Sequence, residues 1–254
     1  MIQSLYTAAT GAKNQQLMID TIANNVANIN TDGFKYSRVT FQDAMYQTMR
    51  SPIQPQGDKN LELGHGVLLS DTAMNFVQGA MRSTGETLDF ALDGDGFFTV
   101  ANAQNETMYT RCGMFSVSVE DDGTYLVTAQ GYYVLSDQGE RIKLPSGTEN
   151  ITCNSAGVLS GASGNPFATL GIAAFDNMQG LEKKGDNLYA ATEASGQAKK
   201  ADDVTVKQGY IESSNVDLAE EMTKLIRAQR AYSLISRAIT TADEMESAAN
   251  NLRK

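Results

Sequence analysis

The chain has 254 residues, of which 41% are hydrophobic and 20% charged; this composition is typical of a folded protein and excludes global disorder. The formal net charge of −10 argues against nucleic acid or an anionic membrane surface as the main partner. Residues 1–30 carry one acid and one base, residues 215–254 carry six of each, and the middle holds 23 acids and 13 bases. Neutral ends around an acidic middle predict ends that pack against copies of themselves.

The sequence shows no signal for membrane insertion or secretion. No apolar run approaches the roughly 20 residues needed to cross a bilayer. The first basic residue is Lys13, and the N-terminal segment has neither a continuous apolar core nor a small-residue cleavage site. No cleaved signal peptide is therefore expected. Cys112 and Cys153 are the only cysteines and lack metal-site spacing, so two free thiols are expected, with a disulfide as the alternative.

The first thirty residues predict a helix with one apolar seam. Apolar or small side chains recur at alternating steps of three and four, with Gln16 as the polar interruption. The helix should end near Asn28-Ile29-Asn30, because Thr31-Asp32-Gly33 supplies a turn and a glycine that can adopt positive φ. The seam consists of Ile2, Leu5, Ala9, Ala12, Ile19, Ala23 and Val26.

The last forty residues repeat this design. Ser214-Asn215-Val216-Asp217 predicts a capped helix start, and Glu220 and Lys224 have the spacing of an i, i+4 pair. A helix over 216–252 would be roughly 55 Å long at 1.5 Å per residue, which is long for a globular domain. Its seam consists of Leu225, Ala228, Tyr232, Ile235, Ile239, Ala242 and Ala249, with Glu246 as the odd member.

Two interpretations of the seams stay open. Each seam can pack on a core of the same chain, which is the general expectation for an amphipathic helix. The shared heptad step and the alanine content instead favour a coiled-coil-like pair of the two terminal helices, which buries both seams only in part. The remaining apolar surface then needs a partner.

Between the helices the period changes to that of strands. Phe115–Val119 and Tyr125–Val127 alternate or cluster apolar residues, and turns are predicted at Asp122-Gly123, Gln130-Gly131 and Gln138-Gly139. Glycines 123, 131, 139 and 147 lie eight residues apart, which suits strands of about five residues. Further strands are predicted at 97–100, 170–175 and 188–191.

The predicted fold class is therefore α+β, with long terminal helices that form a coiled-coil-like pair and a central antiparallel all-β domain. The predicted domains are a terminal helical domain (1–30 with 215–254), a connecting segment (31–85), an outer β domain (86–205) and a return connection (206–214). Two prolines and three glycines mark 50–66 as an extended linker or hairpin within the connecting segment, where contacts with neighbours are expected.

Residues for catalysis or for a cofactor are not evident. His65 is the only histidine and lies in a glycine-flanked loop, so Ser-His-Asp or Cys-His chemistry is not expected. Asp93-Gly94-Asp95-Gly96 departs from a calcium loop, because its fifth position is Phe97 and its closing position is Gln104. We interpret it as a hairpin turn. We expect no catalytic, cofactor or metal site; the enzymatic alternative is a hydrolase that uses two carboxylates among Asp89, Asp93 and Asp95.

Three stretches resemble the flagellar rod and hook protein family. Residues 23–35 (ANNVANINTDGFK) resemble its N-terminal signature, residues 88–98 followed by Tyr109-Thr110-Arg111 resemble the start of its β domain, and residues 208–217 with Gln229-Arg230-Ala231-Tyr232 resemble its C-terminal helix. The motif positions carried over are Asn24, Asn25, Asn28, Gly33, Phe34, Ser214, Asn215, Val216, Gln229 and Arg230. Cys112 stands where the family commonly has an acidic residue.

The resemblance implies a structural subunit of a hollow helical polymer, with the terminal helices inside and the β domain outside. Length and Leu63-Gly64-His65-Gly66-Val67 resemble the distal-rod type, with a proximal-rod or hook-type subunit as the alternative. Implied partners are the chain itself, other rod subunits, the hook protein, the surrounding ring proteins and the flagellar type III export apparatus, which reads uncleaved N-terminal segments. Phe41 and Met45 resemble an export-gate element, and a short helix that turns both residues to a core is the alternative.

Overall fold

A computed structural model describes residues 2–49, 61–145, 151–161, 164–201 and 203–251, with the side chains of 2–4, 47–49 and 61–63 left aside. The chain divides into two compact units. The first comprises Met1–Ala27, Ser37–Asn75 and Asp217–Lys254, and the second comprises Asn28–Tyr36 and Phe76–Val216. The second unit therefore includes the short segment that follows the N-terminal helix and the one that precedes the C-terminal helix.

Both predicted terminal helices are confirmed in the first unit: α1 is Ile2–Ala27 and α2 is Leu218–Asn251. Asp217 is the N-cap of α2, because its Oδ1 accepts hydrogen bonds from the amides of Ala219 (2.8 Å) and Glu220 (3.1 Å). The predicted cap thus lies at the end of the 214–217 stretch. The predicted i, i+4 ion pair between Glu220 and Lys224 is present at 2.8 Å.

The strands of the first unit form two antiparallel pairs. They are β1 (Ser37–Asp43), β2 (Tyr46–Met49), β3 (Leu61–Gly64) and β4 (Val67–Met74). β1 pairs with β4 with an irregularity at Thr40/Phe41, and β2 pairs with β3. Residues 50–60 of the predicted linker lie outside the described residues, and 61–66 form β3 and its exit toward β4.

The second unit is antiparallel and β-rich, as predicted. One short 3₁₀ turn, Met178–Gly180, interrupts it. Its strands are β5 (Met81–Ser83), β6 (Phe90–Asp93), β7 (Phe97–Ala101), β8 (Thr107–Thr110), β9 (Phe115–Glu120), β10 (Gly123–Thr128), β11 (Tyr133–Val134), β12 (Lys143–Leu144), β13 (Thr152–Cys153), β14 (Val158–Ser160), β15 (Pro166–Thr169), β16 (Ile172–Ala174), β17 (Glu182–Gly185), β18 (Leu188–Ala190), β19 (Lys199–Lys200), β20 (Thr205–Gln208) and β21 (Tyr210–Glu212).

The largest sheet within the described chain has ten strands. Its main order is β12-β10-β11-β7-β8-β18-β17, with β9 beside β10, β16 beside β7 and β19 beside β16. β9 and β10 form the predicted hairpin, in which Glu120 is opposite Gly123. Smaller antiparallel sheets pair β6 with β20, β5 with β21, and β13 and β15 with β14.

The hairpin predicted at Asp93-Gly94-Asp95-Gly96 is wrong. The chain does turn there, but β6 pairs with β20 and β7 pairs with β8, β11 and β16. A Cβ at Gly96 would lie 2.9 Å from Ile172 Cγ2, so the glycine permits close approach of β16 where the chain passes from one sheet to the next.

The core of the second unit is aromatic and aliphatic. Phe90, Phe98 and Phe115 pack together, with ring centroids of Phe98 and Phe115 5.2 Å apart and an edge-to-face angle of 77°. The two cysteines are free thiols, and burial raises the pKa of Cys153 to about 11 and also raises the pKa of Cys112. Among the described residues, neither long helix has the apolar length to cross a membrane.

The segment after α1 is fixed by a glycine that allows main-chain contact. Gly33 has φ +72°, and its N–H donates to the carbonyl of Glu212 at 2.7 Å. A Cβ at this position would lie 2.6 Å from the main-chain nitrogen of Cys112, so a side chain would collide with backbone that cannot move aside easily. This contact seats the 28–36 segment between β21 and the Arg111-Cys112 stretch.

Three buried charges, Lys35, Arg111 and Glu212, form what we call the charged cluster. Lys35 Nζ donates to Glu212 Oε1 at 2.6 Å and to the carbonyls of Phe76 and Val77 at 3.2 and 3.0 Å. Arg111 Nε lies 3.6 Å from Glu212 Oε2, and its Nη1 donates to Gly94 O at 2.9 Å. Burial lowers the pKa of Lys35, and the neighbouring Glu212 carboxylate opposes that shift.

We expect Gly33→Ala to destabilise the second unit more than Gly131→Ala. Gly131 also has positive φ, at +88°, but has nothing within 4 Å of its would-be Cβ. Gly131→Ala should therefore lower the free energy of unfolding by only about 1 kcal/mol, through backbone strain. Gly33→Ala should lower it by about 3 kcal/mol, because overpacking adds to that strain. Urea unfolding of the full chain measures the difference, and equal losses would contradict the proposed contact.

We expect Glu212→Gln to cost about 3–5 kcal/mol in the free energy of unfolding, since it leaves two buried cations without their carboxylate. Lys35→Met in the same chain should recover part of that loss. The matched control is Lys199→Met, which breaks the exposed pair with Asp176 and should cost no more than about 1 kcal/mol. A Glu212→Gln loss as small as the control would show that the charged cluster does not hold the segment.

Candidate assembly surface on the terminal helices

α1 and α2 pack against each other in the first unit. Two contacts define their direction: Asn25 Nδ2 lies 3.0 Å from Glu221 Oε2, and a Cβ at Gly11 would lie 3.8 Å from Ile235 Cδ1. Fourteen residues separate the two contacts in each helix, counted in opposite directions. The helices are therefore antiparallel and stay in step over about 21 Å.

A buried polar group closes the end of this pair where α1 stops and α2 starts. Asn25 is 1% exposed, and its side chain donates to Ser37 O (2.7 Å) and accepts from Ser37 N (3.0 Å). The side-chain amide thus bonds both main-chain groups of Ser37, as a neighbouring strand would, at the start of β1. Glu221, 2% exposed, accepts from Asn25 and from Lys224 Nζ (2.9 Å). With both partners in place, the buried carboxylate is hydrogen-bonded on both oxygens.

The predicted seam residues divide between the two sides of this pair. Ala228 is buried, Ala9, Ala23 and Tyr232 are exposed, and the Ile2 side chain lies outside the described set. The half-buried members are Leu5, Ala12, Ile19, Val26, Leu225, Ile235, Ile239 and Ala242. Ile22, which the sequence seam omitted, is buried at 4% because α1 presents it rather than Ala23 to its neighbours.

An apolar row on α2 stays exposed to solvent beside the face that contacts α1. Leu218, Met222 and Ile226 follow steps of four and are 45%, 47% and 52% exposed; we call them the outer stripe. Further exposed apolar side chains of the two helices are Tyr6, Leu234 and Met245. On a helix, steps of four keep side chains on one face, so the outer stripe is a continuous apolar surface that the first unit leaves uncovered.

The family-motif residues do not form one cluster. Asn25 belongs to the helix pair, and Asn24, Gln229 and Arg230 are exposed. In the second unit, Phe34 is buried under the Lys183 ammonium (4.5 Å), and Asn28 accepts from the Thr31 hydroxyl at 3.2 Å. These positions fix the chain locally and present few side chains to a partner.

The C-terminal half of the motif meets the N-terminal half within the second unit. Asn215 accepts from Tyr36 N at 2.8 Å and donates to Val77 O at 2.8 Å. Val216 is buried, and its N–H donates to Ser214 Oγ at 3.4 Å. The motif therefore holds the main chain at Tyr36, Val77 and Asn215 side by side within the second unit.

The predicted export element is not helical. Phe41 lies half-buried in β1, and Met45 is 84% exposed between β1 and β2, so the alternative of a short helix turning both to a core is wrong. Bonding with β4 holds this stretch extended.

The residues that an enzyme would need are engaged elsewhere or scattered. Asp93 forms an ion pair with Lys207 at 2.7 Å, and Asp95 is exposed. Asp89 is buried, and its main-chain carbonyl accepts a hydrogen bond from Gly209 N. No cluster of three His, Cys, Asp or Glu suited to a metal occurs among the described residues.

Three family models match successive parts of the chain. The model described as "Flagella basal body rod protein" matches residues 5–35, "Flagellar hook protein FlgE/F/G D1 domain" matches 91–161, and "Flagellar basal body rod FlgEFG protein C-terminal" matches 207–252. The first and last matches contain Asn25, Lys35 and Glu212, which the structure places in the helix pair and the charged cluster.

Similar proteins extend this match over the full length. The flagellar basal-body rod protein FlgG of Bacillus subtilis is 40% identical over 270 residues, covering 100% of both chains. The FlgG of Agrobacterium fabrum is 40% identical over 97% of each chain, and the flagellar hook-basal body complex protein FlhP of Bacillus subtilis is 32% identical over 100% of each. The chain thus belongs to the FlgG family of flagellar basal-body rod proteins.

Proposed function

We propose that the chain is a structural subunit of the distal flagellar rod, which polymerises into a hollow helical tube and transmits torque from motor to hook. The observation that carries the proposal is the outer stripe, a continuous exposed apolar row on a helix that already packs against α1. Full-length similarity to proteins named as rod subunits supports the same reading.

The outer stripe suits contact with a second copy. Three large apolar side chains at about half exposure form a contiguous patch that a helix of a second copy can cover. The exposed face of α1 offers small side chains at Ala9 and Ala23, against which large side chains can pack closely. We infer that the outer stripe of one copy covers this face of the next, and that the half-buried seam residues form the coiled-coil-like pair within each copy.

The charges agree with helices inside the tube and the β-rich unit outside. The first unit carries 11 acids and 10 bases, and the second carries 19 acids and 10 bases. A nearly neutral unit can pack against copies of itself without repulsion, and an acidic unit keeps the surface of the polymer hydrated.

The proposed partners follow from this place in the flagellum: other rod subunits, the hook protein, the surrounding ring proteins and the type III export apparatus. Exposed Met45, next to half-buried Phe41 on an extended segment, is accessible to an export receptor. A proximal-rod or hook-type role is the nearest alternative. We propose no enzymatic activity and no cofactor, because Asp93 is neutralised by Lys207 and the relatives carry structural names; the two-carboxylate hydrolase remains the remote alternative.

We expect Ile226→Asp to block assembly while the monomer stays folded. Burying an unpaired carboxylate at an apolar contact costs about 3 kcal/mol, which corresponds to an increase of about 100-fold in the critical concentration. Seeded growth on rod fragments, followed by electron microscopy, gives the measurement, and circular dichroism checks the monomer.

Two controls separate assembly from folding. Thr223→Asp adds the same charge to an exposed polar position of α2 and should leave growth unchanged, as should Ile226→Met. Ile235→Asp, at the contact with Gly11, should instead unfold the helix pair. Normal rods from Ile226→Asp would contradict the role of the outer stripe.

We also expect hydrogen exchange in the dilute monomer to increase along α2. Glu221 and Ala228 are buried, and no described residue of α2 after Ala228 is buried. A long helix that buries little gains little stability in water, so amides from about 240 to 251 should exchange almost freely in the monomer and become protected in rods. The amide of Leu126 in the core serves as the protected reference in both states. Uniform strong protection of α2 in the monomer would show that assembly is not needed to order it.

A further inference from the structure

The edge strand β9 carries features of a docking site for another strand. β9 pairs with β10 on one side only. On its other side, Phe115 N–H donates to Leu88 O at 3.3 Å, and Asp89 and Met114 form an isolated bridge. Residues two apart point their N–H and C=O groups the same way, so the main-chain groups of Val117 and Val119 point outward, and nothing in the described chain pairs with them.

The side chains of β9 do nothing to discourage pairing. Protein edge strands are usually protected by lysine, proline or a bulge. The sequence of β9 is Phe-Ser-Val-Ser-Val-Glu, without a base or a proline. Val117 is exposed and Val119 is 81% exposed, on the face that begins with buried Phe115. An unprotected edge of this kind in a soluble monomer indicates that something covers it in the working state.

Another edge strand of the same sheet is β17. It pairs only with β18 in the described chain, and all four of its residues are exposed. It carries Lys183 and Lys184, and Lys184 is paired only with exposed Glu182 at 3.0 Å. The lysines disfavour pairing between two β17 strands, since like charges would then lie opposite each other.

The charges of the two edge strands favour pairing of β9 with β17. β9 ends in Glu120, and Asp121 and Asp122 follow in the turn; none of these three acids forms an ion pair with a described residue. Glu120 accepts only the hydroxyl of Tyr133, at 2.5 Å. Lys183 lies over the Phe34 ring, but Lys184 on the opposite face of β17 can lie against this acidic end, whereas a second β9 offers no base.

We propose that β9 of one subunit pairs with β17 of the next and so extends the sheet across the subunit boundary. The two strands are different surfaces of one chain, so the contact is heterologous and repeats without closing, as an open helical polymer requires. This inference rests on the proposed function, because it names a second intersubunit contact in the rod besides the outer stripe.

Val117→Pro tests the main-chain part of the pairing in the full-length protein. Proline removes an N–H that β10 does not use, and an outward position of an edge strand tolerates it. We expect a folded monomer with an unchanged urea midpoint and a critical concentration for seeded rod growth at least about tenfold higher, because strand addition depends on main-chain hydrogen bonds. A folded Val117→Pro monomer that assembles normally would overturn the proposal.

A charge exchange tests the partner and stays informative if proline disturbs the fold. Lys184→Glu and Asp121→Lys should each raise the critical concentration about tenfold, and the double variant should restore it. Lys199→Glu changes an exposed lysine on β19, outside the two strands of the proposed contact; it is the matched control and should assemble normally. Failure of the double variant to restore assembly would refute pairing with β17.

The remaining outcomes are distinguishable. If Val119→Cys alone forms disulfide-linked dimers in high yield within rods, the partner is a second β9 and the proposal is wrong. If Ile226→Asp blocks growth while the β9 and β17 variants grow normally, only this inference fails. If Ile226→Asp also grows normally, the proposed assembly through α2 fails with it.

Discussion

A single buried carboxylate links the 28–36 segment and β21 to the β core of the second unit. Glu212 Oε1 accepts from Lys35 Nζ at 2.6 Å and from Gly79 N at 2.8 Å, and Oε2 faces Arg111 Nε at 3.6 Å. Lys35 and Glu212 are 177 residues apart in sequence. Each charge is costly to bury alone, so the 28–36 segment, β21 and the Arg111 turn are stable together or not at all. The fold of this unit therefore needs segments that are far apart in the sequence, 28–36 and β21.

The need to satisfy buried polar groups also explains the positions of Asn25 and Asn215. Chain passages between two units expose main-chain groups that no regular strand or helix satisfies. Asn215 binds Tyr36 N and Val77 O in the second unit, and Asn25 binds both main-chain groups of Ser37 in the first. An asparagine side chain has one acceptor and two donor hydrogens, so it can replace a neighbouring strand at such a passage. The family signature thus marks structural clamps as much as assembly contacts.

Sequence periodicity was sufficient to predict the features that depend on neighbouring residues. Both helices, their approximate ends and most strands followed from the change between steps of 3.6 and 2 and from turn residues such as Asp122-Gly123. It failed where the answer depends on distant contacts. Asp93–Gly96 reads as a hairpin turn, but β6 pairs with β20, more than 100 residues later. Glu221 lies beside Glu220 in the first turn of α2, and only the fold shows that it is buried against Asn25.

The candidate assembly surface was predictable only in part, for a related reason. Ile235, a position of the predicted seam, lies close to Gly11 of α1, but a seam cannot show which apolar residues stay exposed once the two helices have packed. Leu218 and Ile226 are candidate contact residues because they stay exposed after the helices have packed, and that exposure is a property of the folded chain.

The two proposed contacts differ in a way that matters for a shaft under torque. Apolar contact along the outer stripe is non-directional, since its free energy follows the area removed from water, and neighbouring helices can slide by small steps with little loss. Strand pairing fixes register, because a shift of one residue turns every side chain to the opposite face and breaks the alternation of hydrogen bonds. On the proposed pairing of β9 with β17, cohesion comes mainly from the neutral helices and resistance to sliding from the acidic β unit. A polymer held by the helices alone would lack that second property, and this division of roles gives a physical reason for a largely polar unit to retain an unprotected strand edge.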